Sequence, residues 1–180
     1  SLYKPIGTPE EKDELVRWLN AFQQRHSGIE ETYAHVKRVT VRAEMLASLL
    51  NLNVKSVRLG ALLHDIGKVA IPKEVLTKPG KLDMNEWNLM RKHVTIGEEF
   101  LLEFPMLATD SVLRGIVRHH HEHWDGSGYP DRLTREAIPI EARLFALVDV
   151  YDAMRFPRIY RPQSISSETI YEYLQEEAGK

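Results

Sequence analysis

Hydrophobic residues recur along the chain at intervals of three and four in several separate segments, with polar residues between them. Such spacing places the apolar side chains on one face of an α-helix. One such stripe contains Val36, Val39, Ala43 and Leu46. No segment alternates with the period of two typical of a half-buried strand. The pattern therefore predicts an all-α fold, with helices over residues 8–22, 30–50, 54–65, 83–104, 111–122, 140–154 and 166–177.

Capping and helix-breaking residues refine these boundaries. Asp83 is followed three residues later by Glu86, which is the spacing of a capping box. Gly67 is predicted to end the helix that begins at residue 54, and Gly97 is predicted to break the helix over 83–104. The stretch VAIPKEVLTKPGKLD between them is predicted to be a loop with one short helical turn.

The segment HWDGSGYPDRLTREAIP, residues 123–139, is the longest irregular stretch inside the chain. An irregular loop of this length within a compact domain is more often functional than idle. It directly follows a cluster of histidines, so we expect it to border a site.

Composition narrows the function classes. The chain has 180 residues, 24 Lys plus Arg against 26 Asp plus Glu, and no cysteine. Near-balanced charge gives no reason to expect duplex nucleic acid as a partner. Without cysteine, any metal site must use nitrogen and oxygen ligands, and a reducing, cytoplasmic location is expected. No membrane span or leader is apparent, and because the sequence begins at Ser1 we expect a regulatory domain to precede it in a longer protein.

Two pairs of candidate metal ligands occur in the first half of the chain. Glu31 and His35 are four residues apart, so they share one helix face, although an ordinary surface pair has the same spacing. His64 and Asp65 follow the apolar run LGALL, where charged groups need a partner. The alternative for this second pair is a helix cap. Lys68, one turn later, is either a surface lysine or a cation aimed at the same site.

The second half adds more candidates. His93 lies in an apolar helical segment, where a lone histidine is more often structural. Of the dense cluster from residue 119 to 123, His120 and His121 are predicted to face a site, while His119 and His123 share another face. Asp149 and Asp152 follow an apolar run near the end of a predicted helix, where carboxylates disfavour the negative helix terminus. A metal or a basic side chain explains them better.

Together these imidazoles and carboxylates exceed what a single metal ion binds, so the count predicts two or three ions. Such ions lower the pKa of a shared water enough to give a hydroxide, which is a nucleophile for phosphorus. Iron, manganese, zinc and nickel all suit this ligand type.

The motifs HDIGK, residues 64–68, and HHEHWDGSGYP, residues 120–130, closely resemble those of the HD-GYP phosphodiesterases, a branch of the HD superfamily. LTKPGKL and VDVYDAM extend the resemblance, which covers about residues 31–161. It implies a compact helical bundle of about seven to eight helices with a long GYP loop, which is the irregular segment over residues 123–139. It also implies metal-dependent hydrolysis of cyclic di-GMP to linear pGpG, and in some members to GMP, with two or three iron or manganese ions. For domain organisation, we expect an N-terminal helical segment over 1–28 and the phosphodiesterase domain over 29–180, in one globular unit.

The resemblance also assigns roles to single residues. Lys68 is expected to contact the scissile phosphate or leaving oxygen, with Asp152 orienting it, and Asp65 joins them in the catalytic set. Arg158 and Arg161 match positions that contact phosphate, and Tyr129 is presented by the GYP loop or merely packs it. The implied metal ligands are Glu31, His35, His64, Asp65, His93, His120, His121 and Asp149. Glu31 is the position that favours a third ion.

The segment MRFPRIYRP departs from the family pattern, which usually continues from the last acid to Arg-Pro-Tyr-Arg or Lys. This departure leaves a binding or docking module as an alternative to an active hydrolase. Another alternative is a hydrolase of a different cyclic dinucleotide. In the family, the GYP loop is also proposed to dock diguanylate cyclase domains.

Overall fold

The computed structural model of the protein describes residue 17, residues 30–156 and residues 163–179, and in the first helix it describes side chains from Ala34 onward. These parts are helical and contain no β-strand, which confirms the all-α prediction. Seven of the described helices have at least seven residues. The α-helices are α1 (Glu30–Leu49), α2 (Val54–Leu63), α3 (Lys73–Leu76), α4 (Met84–Met90), α5 (His93–Leu102), α6 (Pro105–Ala108), α7 (Ser111–His119), α8 (Ile140–Arg155) and α9 (Ser167–Glu176). The predicted helix over 8–22 lies outside the described residues, apart from residue 17.

Local signals account for several helix starts. The Asp83 side chain accepts hydrogen bonds from the backbone of Asn85 and Glu86, and the Glu86 side chain accepts one from the Asp83 backbone, so the predicted capping box is present at α4. At α7 and α9 only the N-cap side chain contributes: Asp110 accepts a hydrogen bond from the Leu113 backbone, and Ser166 accepts one from the Thr169 backbone.

Two predicted boundaries were wrong. The helix over 83–104 breaks at residues 91–92 and not at Gly97, since α4 ends at Met90 and α5 begins at His93. At this break the Met90 carbonyl accepts a hydrogen bond from the His93 imidazole. Gly97 instead lies inside α5, where its missing side chain allows close packing against Val117.

The segment after α2 also differs from the prediction. The helix ends at Leu63, and Gly67 lies within a 3-10 helix over Ile66–Ala70 instead of ending α2. An added Cβ on Gly67 would lie only 1.9 Å from the His93 carbonyl oxygen, so this backbone packs directly on the start of α5. His64 and Asp65 lie between the end of α2 and this 3-10 helix, and both side chains are buried in the interior of the bundle.

Two apolar clusters hold the helices together. The larger joins α1, α2, α7 and α8, and the smaller joins α2 and α7 to the segment around α5 and α6. Small residues on α1 and α2 allow close approach: Ala43, Ala47 and Ala61 are fully buried. In the described residues, no helix is long and apolar enough to cross a bilayer. The larger cluster consists of Val39, Ala43, Ala47, Val57, Ala61, Ile116, Leu144, Phe145 and Val148.

Candidate metal centre

Two groups of candidate metal ligands lie next to each other where α1, α2, α5, α7 and α8 meet. In each group, one potential ligand atom from every member lies within 4.8 Å of those of the others. The imidazole rings of His64 and His120, one from each group, have centroids 5.3 Å apart. The first group is His93, His120 and His121, and the second is His35, His64 and Asp149.

Asp65 lies between the two groups. Its Oδ2 is 3.2 Å from Nε2 of His64, and its Oδ1 is 3.4 Å from Nε2 of His93. One carboxylate therefore directs one oxygen to each group. A carboxylate in this position is able to bridge two cations.

Backbone carbonyls fix the tautomers of three of these histidines. A carbonyl only accepts hydrogen bonds, so the Nδ1 atom that contacts it must carry the proton. Nδ1 lies 2.9 Å from a carbonyl oxygen in His64 and His120, and 2.8 Å in His93. In the neutral ring, Nε2 then carries the lone pair and is the nitrogen available to bind a metal ion. The carbonyls are those of Ala61, Ile116 and Met90.

The Nε2 atoms of His93 and His120 are buried and make no hydrogen bond within the described residues. Buried polar atoms are nearly always paired, so each unpaired one needs an explanation. A divalent cation supplies it, because a neutral imidazole held by a hydrogen bond on its other nitrogen is a common metal ligand. The residues present therefore fit the binding of divalent metal ions.

Burial keeps most of these imidazoles neutral. It lowers the pKa of His93 to about 4 and of His121 to about 3, and it lowers the pKa of His120 well below the ordinary value. Burial also acts to lower the pKa of His64, but the nearby carboxylates of Asp65 and Asp149 outweigh it and raise the pKa. These carboxylates therefore favour protonation of His64 at Nε2 when no cation is bound, whereas metal binding requires the neutral ring.

Asp65 stays ionised although it is buried. Burial acts to raise the pKa of its carboxyl, but Lys68 and His64 hold that pKa well below the ordinary value. The Lys68 ammonium lies 2.6 Å from Oδ2 of Asp65. The hydrogen bond to Asp65 therefore holds the Lys68 ammonium beside the two ligand groups, as one reading of the sequence predicted.

The predicted contact between Asp152 and Lys68 is wrong. Asp152 is fully buried and instead accepts hydrogen bonds from His35, Arg38 and Arg42. Burial acts to raise the pKa of Asp152, but these basic partners, His35 first, lower it to about 2. The physical reason is helix geometry, since the three basic residues share the face of α1 that packs on α8. Asp152 therefore orients a histidine of the second group.

Arg38 and Arg42 were not among the sequence candidates. Arg38 donates to both oxygens of Asp152 at 2.8 Å, and its guanidinium lies 3.9 Å from the ring centroid of Phe156. Their spacing of three and seven residues after His35 is the signal that could have found them, since it places all three on one face. Phe156 belongs to the atypical MRFPRIYRP segment, so one of its unusual residues covers this network.

The GYP loop places Tyr129 over the first group. The Tyr129 ring stacks on His121 with centroids 4.9 Å apart and planes inclined by 23°. Buried Glu122 secures the loop by accepting hydrogen bonds from the backbone of Asp131 and Leu133. A Cβ on Gly128 would lie 2.3 Å from the backbone nitrogen of His123, so only glycine fits there.

The remaining candidates divide as follows. His119 contacts Asp131, and exposed His123 contacts Ser127, so both lie outside the two ligand groups, although α7 ends at His119 and the two do not share a helix face. The side chain of Glu31 and the residues Arg158 and Arg161 lie outside the described part of the structure.

The sequence model of the HD domain family matches residues 22–180, which is most of the chain. The chain belongs to the HD domain family. This match confirms the HD superfamily membership that the motifs HDIGK and HHEHWDGSGYP indicated.

Two relatives of this HD domain are named for different cyclic dinucleotides. The chain is 44% identical over 153 residues to the 3'3'-cGAMP-specific phosphodiesterase 2 of Vibrio cholerae, covering 83% of this chain and 29% of the relative. It is 40% identical over 173 residues to the cyclic di-GMP phosphodiesterase response regulator RpfG of Xanthomonas campestris pv. campestris, covering 94% and 44%. The chain thus spans less than half the length of either relative.

A solved structure shares the fold of this HD domain. An HDG"Y"P protein from Bdellovibrio bacteriovorus superposes with a TM-score of 0.62 at 22% identity, over 81% of this chain and 47% of that one. At this identity the likeness concerns the fold alone.

Proposed function

We propose that this HD domain hydrolyses a cyclic dinucleotide, cyclic di-GMP, to linear pGpG and onward to GMP. The observation that carries the proposal is the position of Asp65, whose two oxygens face histidines of two adjacent ligand groups while Lys68 stands beside it. A bridged pair of cation sites next to a lysine suits an anionic phosphodiester. Relatives named as phosphodiesterases of cyclic dinucleotides support the substrate class.

The metal ions would be held by the two ligand groups and Asp65. When bound, divalent ions lower the pKa of water and neutralise charge on phosphate oxygens. The chain's own residues do the rest. Lys68 supplies a cation for the phosphate or leaving oxygen. Asp152 holds the proton of His35 on Nδ1, so that the Nε2 lone pair is directed at the other members of the second group, His64 and Asp149. Tyr129 closes one side of the site by covering His121.

We further propose iron or manganese as the metal, with zinc and nickel as alternatives, because imidazole and carboxylate ligands suit all four. Glu31 would add a ligand for a third ion. Elemental analysis of anaerobically purified protein would give both the identity and the number of ions. A metal-to-protein ratio near two, unchanged in Glu31→Gln, would contradict the third site.

A second substrate is favoured by a specific observation. One relative that covers most of this chain is named as specific for 3'3'-cGAMP, so this mixed dinucleotide is the alternative to cyclic di-GMP. Three expectations stay predictions. They are the phosphodiesterase domain over 29–180, an N-terminal regulatory domain, and docking of diguanylate cyclase domains at the GYP loop.

The test uses protein loaded with Fe(II) or Mn(II) and follows cyclic di-GMP and 3'3'-cGAMP by anion-exchange chromatography. We expect linear products from at least one of them, and loss of hydrolysis on chelation and in His64→Ala. His123→Ala is the matched control, because this exposed histidine lies outside both ligand groups. Metal-loaded protein that leaves both dinucleotides intact would overturn the proposal.

A further inference from the structure

An aromatic and cationic patch leads away from the first ligand group. Tyr129 stacks on His121, the indole of Trp87 stands edge to face with Tyr129 at 6.4 Å between centroids, and the Arg91 guanidinium lies 4.7 Å from the Tyr129 centroid. We call Trp87, Arg91 and Tyr129 the Trp87 patch. Tyr129 contacts the candidate metal ligand His121 directly, and Trp87 lies one ring contact farther out.

The patch is not explained by packing of the fold. Trp87 is 46% exposed, and α4, the helix that carries it, buries none of its residues. Tryptophan and tyrosine are enriched at binding interfaces, where one part of the ring system is buried and another is accessible. Since α4 contributes no buried side chain to either apolar cluster, its indole is free to contact a ligand.

Arg91 has no acidic partner among the residues that the structure describes. Within the described residues it forms no ion pair, and its guanidinium faces only the Tyr129 ring. It is held close to the site by the chain, because His93 follows two residues later and its imidazole bonds the carbonyl of Met90. A planar fork of donors is therefore left available at the edge of the metal centre.

We propose that the Trp87 patch binds a guanine base of the substrate, with Trp87 stacking on the base and Arg91 donating hydrogen bonds to O6 and N7. Stacking on an exposed aromatic ring is a general way of holding a nucleobase. An arginine paired to O6 and N7 is the commonest specific contact to guanine. The inference rests on the proposed function, because it gives the cyclic dinucleotide a place for one base while its phosphate lies at the ligand groups.

This assignment discriminates between purines. Adenine presents an amino donor where guanine presents O6, so the donors of Arg91 would face another donor. Both cyclic di-GMP and 3'3'-cGAMP contain a guanine, and the patch therefore accepts either substrate. A dinucleotide with two adenines is expected to bind more weakly.

The test measures binding without turnover. Isothermal titration of Mn(II)-loaded protein with GMP, AMP and ribose 5-phosphate compares ligands that share a phosphate and differ in the base. We expect GMP to bind about tenfold more tightly than ribose 5-phosphate, an advantage typical of one stacked base. Trp87→Ala should remove this advantage and Trp87→Phe should keep most of it. Arg91→Met should remove the preference for GMP over AMP.

Met84→Ala is the matched control, since Met84 lies on the same helix and is 76% exposed. It should leave all three affinities unchanged. Equal binding of GMP and ribose 5-phosphate in the parent protein, or an unaltered GMP advantage in Trp87→Ala, would overturn the inference. An assay in which no cyclic dinucleotide is hydrolysed but the base effects appear would instead remove the proposed reaction and leave the base site standing.

Discussion

The Nδ1 atom of His35 on α1 lies 2.8 Å from Oδ2 of Asp152 on α8. Because the carboxylate is ionised, with a pKa of about 2, it accepts the Nδ1 proton and leaves the Nε2 lone pair toward Asp149 and His64. A buried acid on one helix thus sets the tautomer of a candidate ligand on another. The same carboxylate also accepts hydrogen bonds from Arg38 and Arg42.

Asp152→Asn should weaken metal binding while preserving side-chain size. The amide can donate to Nδ1 of His35 and shift the proton to Nε2, the atom that faces the second ligand group. We expect metal affinity to fall by about 10- to 100-fold, as for other residues that orient metal ligands. Competition with a metal chelator measures this. Glu99→Gln, an exposed carboxylate on α5, is the control, and equal affinities in the two variants would contradict the prediction.

Two glycine-to-alanine changes should have opposite effects on stability. In Gly67→Ala the new Cβ would meet the His93 carbonyl oxygen at 1.9 Å and the Gly97 nitrogen at 2.6 Å, so backbone must move. We expect a loss of about 3 kcal/mol or more in the free energy of unfolding. In Gly115→Ala, within α7, the Cβ finds ordinary contact with Pro139 at 3.5 Å, and a gain of up to about 1 kcal/mol is expected. Urea unfolding compares the two, and a neutral Gly67→Ala would refute the close packing.

Much of the site was accessible from sequence because its ligands lie next to strong local signals. His64 and Asp65 follow an apolar helix, and His120 and His121 follow another, so composition and spacing indicated all four. The same reasoning kept His119 out of the site. Hydrophobic periodicity and residue type are therefore enough to find candidate ligands that directly follow an apolar helix.

The error at Asp152 arose because its partner depends on how α1 packs on α8, and no sequence spacing pairs His35 with Asp152. The break before His93 has a local origin, since the His93 imidazole bonds the Met90 carbonyl three residues earlier, and hydrophobic periodicity carries no information about that bond. The exposed position of Trp87 was likewise hidden, because the apolar pattern of residues 83–104 suggested a core-facing helix.

Stability should depend on acidic pH through Asp131. Its carboxylate accepts two hydrogen bonds from Arg118 at 2.7 Å, and these bonds chiefly lower its pKa from 3.8 to about 2. A lowered pKa gives stability that is present above pH 3.8 and is lost as the pH falls toward 2. Asp131→Asn should therefore cost about 1 kcal/mol or less at neutral pH, since the pair is partly exposed. That cost should shrink through this window in urea unfolding of chelated protein. A cost independent of pH would contradict the ion pair.

Lys68→Met should separate catalysis from metal binding. The ammonium lies 2.6 Å from Oδ2 of Asp65, but Lys68 belongs to neither ligand group, so the metal content should stay near that of the parent protein. Removal of one positioned charge from a developing anion typically costs about 100-fold or more in kcat, and a loss of this size is expected for the cyclic dinucleotide. Elemental analysis and steady-state kinetics on the same preparation measure both quantities. Lys92→Met, an exposed lysine before α5, should change neither. A Lys68→Met protein that keeps its kcat would remove the lysine from the reaction, and one that loses its metal would show that its role is to hold Asp65 in place.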